Sequence, residues 1–202
     1  VHGFLTVDCQ KISKSQGNAV DPLPVIERYG PDALRYYLLR HVSPTGDSDF
    51  SHSRFAEIYE NDLANGLGNL VARLEALSVK AGLNRIDGEL RDPVPPPNLE
   101  GRRFNTAIEI QWNTVHEINR DIEVKRPWEY LAADRREELV GLLKRWILQL
   151  LQFARNITPI LPATSAKIEK RFTSHNILRN NPLFPRLYPP PIPLPGNARP
   201  HP

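Results

Sequence analysis

Two lysines three residues apart, Lys11 and Lys14, stand with Ser13 and Ser15 in the pentad KISKS. Each ammonium is a compact point charge on a mobile stem, which suits a polyphosphate. The serine hydroxyls can donate to a phosphate or close the loop through local turn bonds, and the residues alone leave both open. A bare K-x-x-K is most often a solvated basic loop, so the flanks decide. An alternating apolar stretch (Val1, Phe4, Leu5, Val7) reads as a strand running into a turn. Gly17-Asn18 follows the pentad, and Asp21-Pro22 opens a helix.

A second set of polar residues lies further on. Asn61, Asn65, Asn69 and Arg73 follow one another at spacings of four, on a helix face distinct from its leucines. Such a face is commonly just solvated. It is also a short ruler for base edges, because arginine offers a planar donor fork and asparagine a donor–acceptor pair. The third element is Trp128. Pro127 makes its helix entry rigid and presents an indole at a helix tip, where the ring either fills a core or serves as a stacking platform. Of the other tryptophans, Trp146 sits on an apolar stripe and is assigned to the core, while Trp112 stays open. The six histidines show no ligand spacing, so no metal site is expected.

The elements that must position these groups are mostly helical. Asp21 is a good N-cap with Pro22 at the first helical position, and Gly30 can end that helix after Tyr29. A second short helix runs from Pro31 to about His41, and 42–51 is loop. Ser51 can cap a long helix reaching about Ala81, whose leucines 63, 67, 70, 74 and 77 alternate spacings of four and three. A linker rich in Gly, Asp and Pro spans 82–101. Further helices are expected over 103–124, from Pro127, over 134–158 and over 163–172. Beyond Phe172 the apolar periodicity ends. Nine of the 20 prolines lie after residue 180, so 173–202 reads as a polyproline-like or disordered tail.

Composition sets outer bounds. The 202 residues allow one large domain or two small ones, and 40% apolar residues can build a core. A net charge of +3 permits nucleic-acid binding without arguing for it. A single cysteine, Cys9, excludes an intramolecular disulfide framework and fits a reducing, cytoplasmic setting. No apolar run of about 18 residues is present to span a bilayer, and no membrane or DNA partner is expected.

The stretch VHGFLTVDCQKISKSQGNAVDP resembles the second signature motif of class I aminoacyl-tRNA synthetases, where the loop closes over ATP. Four further stretches are similar to the methionyl-tRNA synthetase family: PLPVIERYGPDALRYYLLR (Pro22 to Arg40), Asp49-Phe50-Ser51, NDLANGLGNLVAR (Asn61 to Arg73) and Pro127-Trp128. Isoleucyl, valyl and leucyl enzymes share the pentad but do not usually share the YYLLR ending or the DLANxLGNLVxR helix. The resemblance covers residues 1 to about 187. No His-Ile-Gly-His-type motif or cysteine cluster accompanies it, so the chain is expected to be the C-terminal part of a longer enzyme.

The resemblance implies a mainly α protein: a helix-bundle anticodon-binding domain preceded by the last strand and signature loop of a Rossmann-like class I catalytic domain. The implied division is 1–20 for the end of the catalytic domain, 21–51 for a linking, stem-contact-like segment, 52–172 for the bundle and 173–202 for the tail. It implies a methionine–tRNA ligase as parent, with ATP, magnesium, methionine and tRNA(Met) as cofactors and partners. Lys14 first and Lys11 second would stabilise charge on departing pyrophosphate, with Ser13 and Ser15 near the phosphates. Asn69, Arg73 and Trp128 would contact the anticodon. Two departures stand out. Cys9 occupies a position where relatives usually have a turn glycine, and is strained there if the turn needs positive φ. Asp121 stands where relatives often carry an aromatic ring, and an acid there would repel phosphates. The competing reading is a non-catalytic tRNA-binding module derived from such an enzyme.

Overall fold

Three short strands gather at the N-terminal end because two aspartates bond the backbone of a neighbouring strand and turn. In the computed structural model, which describes residues 3–7, 9–11, 21–43, 45–86, 88, 90–93 and 103–187, β1 (Leu5–Val7) pairs antiparallel with β2 (Gln10–Lys11) and parallel with β3 (Ser48–Phe50). Asp49 Oδ1 accepts from Thr6 Oγ1 at 2.6 Å and from the Cys9 amide at 2.8 Å, while Asp47 accepts from the Phe4 amide at 2.8 Å. These acids therefore brace the sheet and its turn. Cys9 has φ 62, the left-handed conformation that the sequence reading flagged as costly for a cysteine. The Asp49 bond holds it there. Ser13, Lys14 and Ser15 lie outside the described residues. Lys11 contributes the last residue of β2, and its side chain is likewise outside them.

The next two helices form as their caps dictate. In α1 (Pro22–Tyr29), Asp21 Oδ1 accepts from the Leu23 amide at 2.9 Å. Gly30, at φ 85, ends α1 by donating its amide to Ile26 at 2.8 Å and starts α2 (Pro31–His41) directly. Buried Asp32 on α2 accepts from the Thr164 amide at 2.6 Å, and Arg35 Nε donates to the Ile160 carbonyl at 2.8 Å. The linking segment is thus bonded to a part of the bundle some 130 residues away in sequence.

The bundle begins with one continuous helix in three parts: α3 (His52–Ile58), a π-helical stretch (Tyr59–Gly68) and α4 (Asn69–Ala81). Ser51 occupies the N-cap position without a side-chain cap bond; its hydroxyl meets that of Ser53 at 2.9 Å instead. The expected leucine stripe is buried at 63, 67, 70 and 74 and partly buried at 77. Then follow α5 (Phe104–Lys125), α6 (Pro127–Ala132), α7 (Arg136–Asn156) and α8 (Pro162–Thr173). Each matches the helix expected from its apolar period to within a few residues. Trp146 is fully buried, as assigned, and Trp112 joins it in the core against Tyr36 and Phe153.

One expectation fails. Residues 174–187 do not dissolve after Phe172 but pack back along the long helix. Ile177, Leu183 and Phe184 are buried, and the Ile177 amide donates to the Asn84 carbonyl at 2.9 Å. The chain has no regular period here because it is an irregular strap held by sparse apolar anchors and polar bonds. Residues 188–202 lie outside the described residues.

His41 gives the fold a pH dependence. Its buried Nε2 has no hydrogen-bond partner among the described residues, and its ring lies against those of Tyr36 and Tyr37. Burial first, then the Arg40 and Arg54 charges, hold its pKa below the ordinary histidine value, against the opposing pull of Asp62. The unfolded chain therefore takes up a proton at His41 before the folded one does. The contribution is intact above about pH 6.5 and is lost as acidification proceeds toward the lower folded value. Urea midpoints should fall more steeply between pH 7.5 and 5.5 in the wild type than in His41→Gln; parallel slopes would refute this.

Candidate nucleic-acid interface

The left-handed turn at Arg126 makes the candidate surface. Arg126 has φ 48 and closes α5 by donating its amide to Ile122 at 3.0 Å. Pro127 follows at the first position of α6 and is buried, which fixes the new helix against the bundle. The next residue therefore faces outward: Trp128 is 44% exposed, where Trp112 and Trp146 are at most 1% exposed. Val124, one turn earlier on α5, is 70% exposed. Two apolar side chains at i and i+4 thus stand in solvent across the helix junction, although the core stripe of α5 lies elsewhere (Ile118, Ile122).

α4 packs against both α5 and α6. Asn69 is exposed, and its backbone amide donates to the Ala64 and Gly66 carbonyls. Arg73 Nη2 reaches Glu123 on α5 at 2.7 Å, with the arginine side chain 25% and the glutamate 63% exposed. The ion pair orients the guanidinium toward the α5–α6 junction without removing it from water. The four-residue ruler divides here. Asn61 is exposed, while Asn65 is engaged by Glu60 at 3.4 Å and by Arg186 at 2.6 Å. Arg73 thus reaches the last turns of α5, which lead into the helix of Trp128, Asn69 lies one turn before Arg73 on α4, and Asn65 is engaged elsewhere.

Asp121 does not stand as an unpaired acid. Its Oδ2 accepts from the buried Trp146 indole at 2.8 Å and pairs with Arg145. Its charge is offset by Arg145 and its role is to satisfy the core tryptophan. A shallow cleft of about 380 Å³ next to it is lined by Arg120, Asp121, Val124, Arg145 and Gln149, among others. Lys125 and Arg126 add cationic side chains at the end of α5. Sequence reading missed Glu123 and Val124. The signal for Val124 was available: an apolar residue off its helix stripe, four before a tryptophan.

A family profile described as tRNA synthetases class I (M) matches residues 1–75. The methionine–tRNA ligase of Clostridium perfringens is 33% identical over 189 residues, covering 86% of this chain and 29% of that protein. Methionine–tRNA ligase 1 of Bacillus cereus is 32% identical over 224 residues, covering 92% of this chain and 34% of its relative. This chain belongs to the class I methionyl-tRNA synthetase family. It spans about a third of the length of these relatives. The same fold occurs in Mycobacterium tuberculosis methionyl-tRNA synthetase bound by methionyl-adenylate, at a TM-score of 0.74 and 24% identity over 92% of this chain and 43% of that one. The mainly helical architecture with a small N-terminal sheet is the family's own, and the expected fold class holds. Among the described residues no helix is long and apolar enough to cross a membrane.

Proposed function

We propose that this chain is the decoding portion of a methionine–tRNA ligase. In this reading 1–20 supplies the loop that closes over ATP, 21–51 links it to the bundle, and 52–172 with its packed strap recognises the anticodon of tRNA(Met). The observation that carries the reading is an exposed Trp128 indole at the start of α6, with Arg73 of α4 ion-paired to Glu123 near the end of the preceding helix and Asn69 exposed one turn earlier on α4. Single-stranded bases are gripped by this combination of a stacking face and edge donors. Asp121, neutralised by Arg145, does not oppose it.

The parent reaction would join methionine to its tRNA through methionyl-adenylate, in the cytoplasm. ATP would bring magnesium as its companion ion, and neither membrane nor DNA takes part. Lys14 would lie against the leaving pyrophosphate with Lys11 beside it, and Ser13 and Ser15 would bond the loop or its phosphates.

Trp128→Ala tests the decoding site. A stacked base is worth about 1–3 kcal/mol, whereas a core tryptophan would put roughly 3–5 kcal/mol into stability. Because the ring is 44% exposed, binding of a methionine-anticodon stem-loop should weaken about 5- to 150-fold with the melting temperature nearly unchanged. Arg73→Ala should cost about 1–3 kcal/mol and relax discrimination at one anticodon base. Its exposed ion pair with Glu123 contributes only about 0–1 kcal/mol to stability. Stem-loops with altered anticodons are the control. Equal loss for all of them, or collapse of the tryptophan variant's stability, would exclude a decoding site here.

A further inference from the structure

We propose that residues 174–187 are a splint that sets the rotational phase of the helix carrying Asn69 and Arg73, with Arg186 as its positioning residue. The link to decoding rests on the anticodon reading above; the splint itself does not.

The strap runs antiparallel to the long helix, from just past its end at Asn84 back to Tyr59. At the helix end, Ile177 bonds Asn84 at 2.9 Å. One turn and more inward, Asn180 donates to both oxygens of buried Glu75, at 3.2 and 2.9 Å. Phe184 then passes over Gly68, where a Cβ would sit in ordinary contact 3.6 Å from the Phe184 amide nitrogen. Pro185 accepts from the Tyr59 hydroxyl at 2.9 Å. Burial pushes that hydroxyl's pKa up to about 12, so it stays a donor. Arg186 reaches Asn65 at 2.6 Å and Glu60 at 3.6 Å. Anchors thus bracket Asn69 and Arg73 on both sides.

The Arg186 contact is specific for helix register. Glu60 and Asn65 are five residues apart and bond each other at 3.4 Å. In an α-helix, at 3.6 residues per turn, such a pair points about 140° apart. In a π-helix, whose bonds run i to i+5, the pair stacks on one face. Arg186 therefore bridges two side chains that only the π form places together. Ten residues of π winding, Tyr59 to Gly68, lie directly before Asn69. If they relaxed to α winding, everything after them would rotate relative to Phe55 and Tyr59, and Asn69 and Arg73 would turn with it. A long π run is an uncommon, costly conformation, so an external brace is what its persistence requires.

The test compares the full chain with Arg186→Ala, Arg186→Lys, a chain ending at Leu187 and one ending at Pro182. Amide hydrogen exchange over 60–73 and binding of stem-loops with cognate and altered anticodons are read together. The chain ending at Leu187 should match the full chain. Arg186→Ala should speed exchange over 60–73 several-fold and cut anticodon discrimination several-fold, with the melting temperature nearly kept. Arg186→Lys, which can pair with Glu60 but lacks the fork for Asn65, should recover part of both. The chain ending at Pro182 should show the largest change; if it fails to fold, the Arg186 variants decide. Unchanged exchange over 60–73 in Arg186→Ala overturns the splint, and faster exchange with discrimination intact overturns its link to decoding. Should the full chain bind all anticodons alike, the anticodon reading falls, and exchange alone decides the splint.

Discussion

Glu75→Ala is expected to cost this protein roughly 3–5 kcal/mol of stability, the range for stripping one partner from a buried ion pair. The Glu75 side chain is 2% exposed and Arg171 opposite it 14% exposed, at 3.3 Å. The carboxylate also receives the backbone and side-chain amides of Asn180. Alanine leaves the Arg171 guanidinium without its carboxylate; among the described residues the Asn181 carbonyl, at 2.8 Å, remains as an acceptor. It also removes the acceptor of the Asn180 backbone amide and one of the two acceptors of its side-chain amide, which keeps its bond to the Leu178 carbonyl at 3.0 Å. At about 2–4 °C per kcal/mol for a protein of this size, the melting temperature should drop on the order of 10 °C. Glu75→Gln keeps an acceptor for Asn180 and should cost visibly less. A loss under about 1 kcal/mol in the alanine variant would mean that the pair behaves as a surface contact and that the strap is not anchored there.

The same glutamate shows where sequence reasoning stops. Helices α4, α5 and α7 are legible because their apolar residues repeat at three and four, and that period is a property of neighbours in sequence. Glu75 falls between Leu74 and Leu77 on such a stripe, and nothing local says that its partners lie 96 and 105 residues away. The strap itself is invisible for the same reason. Its buried residues, Ile177, Leu183 and Phe184, follow no period and are separated by asparagines and a proline that signal loop. The π stretch is hidden by a different cause. Apolar residues 55, 59, 63 and 67 are spaced by four throughout, and each step of four drifts about 40° in an α-helix. A wider helix absorbs the drift, but a run of fours is too common to announce one.

The candidate interface was legible in parts. Arg73 and Asn69 stood out by spacing, whereas Trp128 needed its resemblance to a family, since a tryptophan after proline is as good a core residue as a platform. Asp121 could not be judged from its position alone. Its partners come from α7, and they turn a suspected repulsive charge into the acceptor for a buried indole. Cys9 was read correctly as a strained position if the turn had positive φ, and its φ of 62 meets that condition.

Lys14→Ala, in a full-length methionyl-tRNA synthetase carrying this segment, should lower the rate of methionine activation by about 10²–10³, or roughly 3–4 kcal/mol. That is the scale for removing one preorganised group from developing negative charge. In this step a methionine carboxylate oxygen attacks the α-phosphorus, the bond from phosphorus to the bridging oxygen breaks, and charge accumulates on pyrophosphate. A cation placed there gains more interaction in the transition state than with bound ATP, so turnover should fall while ATP affinity changes little. Lys11→Ala should act in the same direction and less severely. β2 ends at Lys11, and its hairpin with β1 is tied through Cys9 to Asp49, so the loop leaves from a fixed edge. Asp49→Ala should consequently blunt the advantage of Lys14 without removing any charge from the loop. Pre-steady-state ATP–pyrophosphate exchange separates the two parameters. A Lys14 variant that raised only the Michaelis constant for ATP, with turnover intact, would reduce the lysine to ground-state binding and end the transition-state assignment.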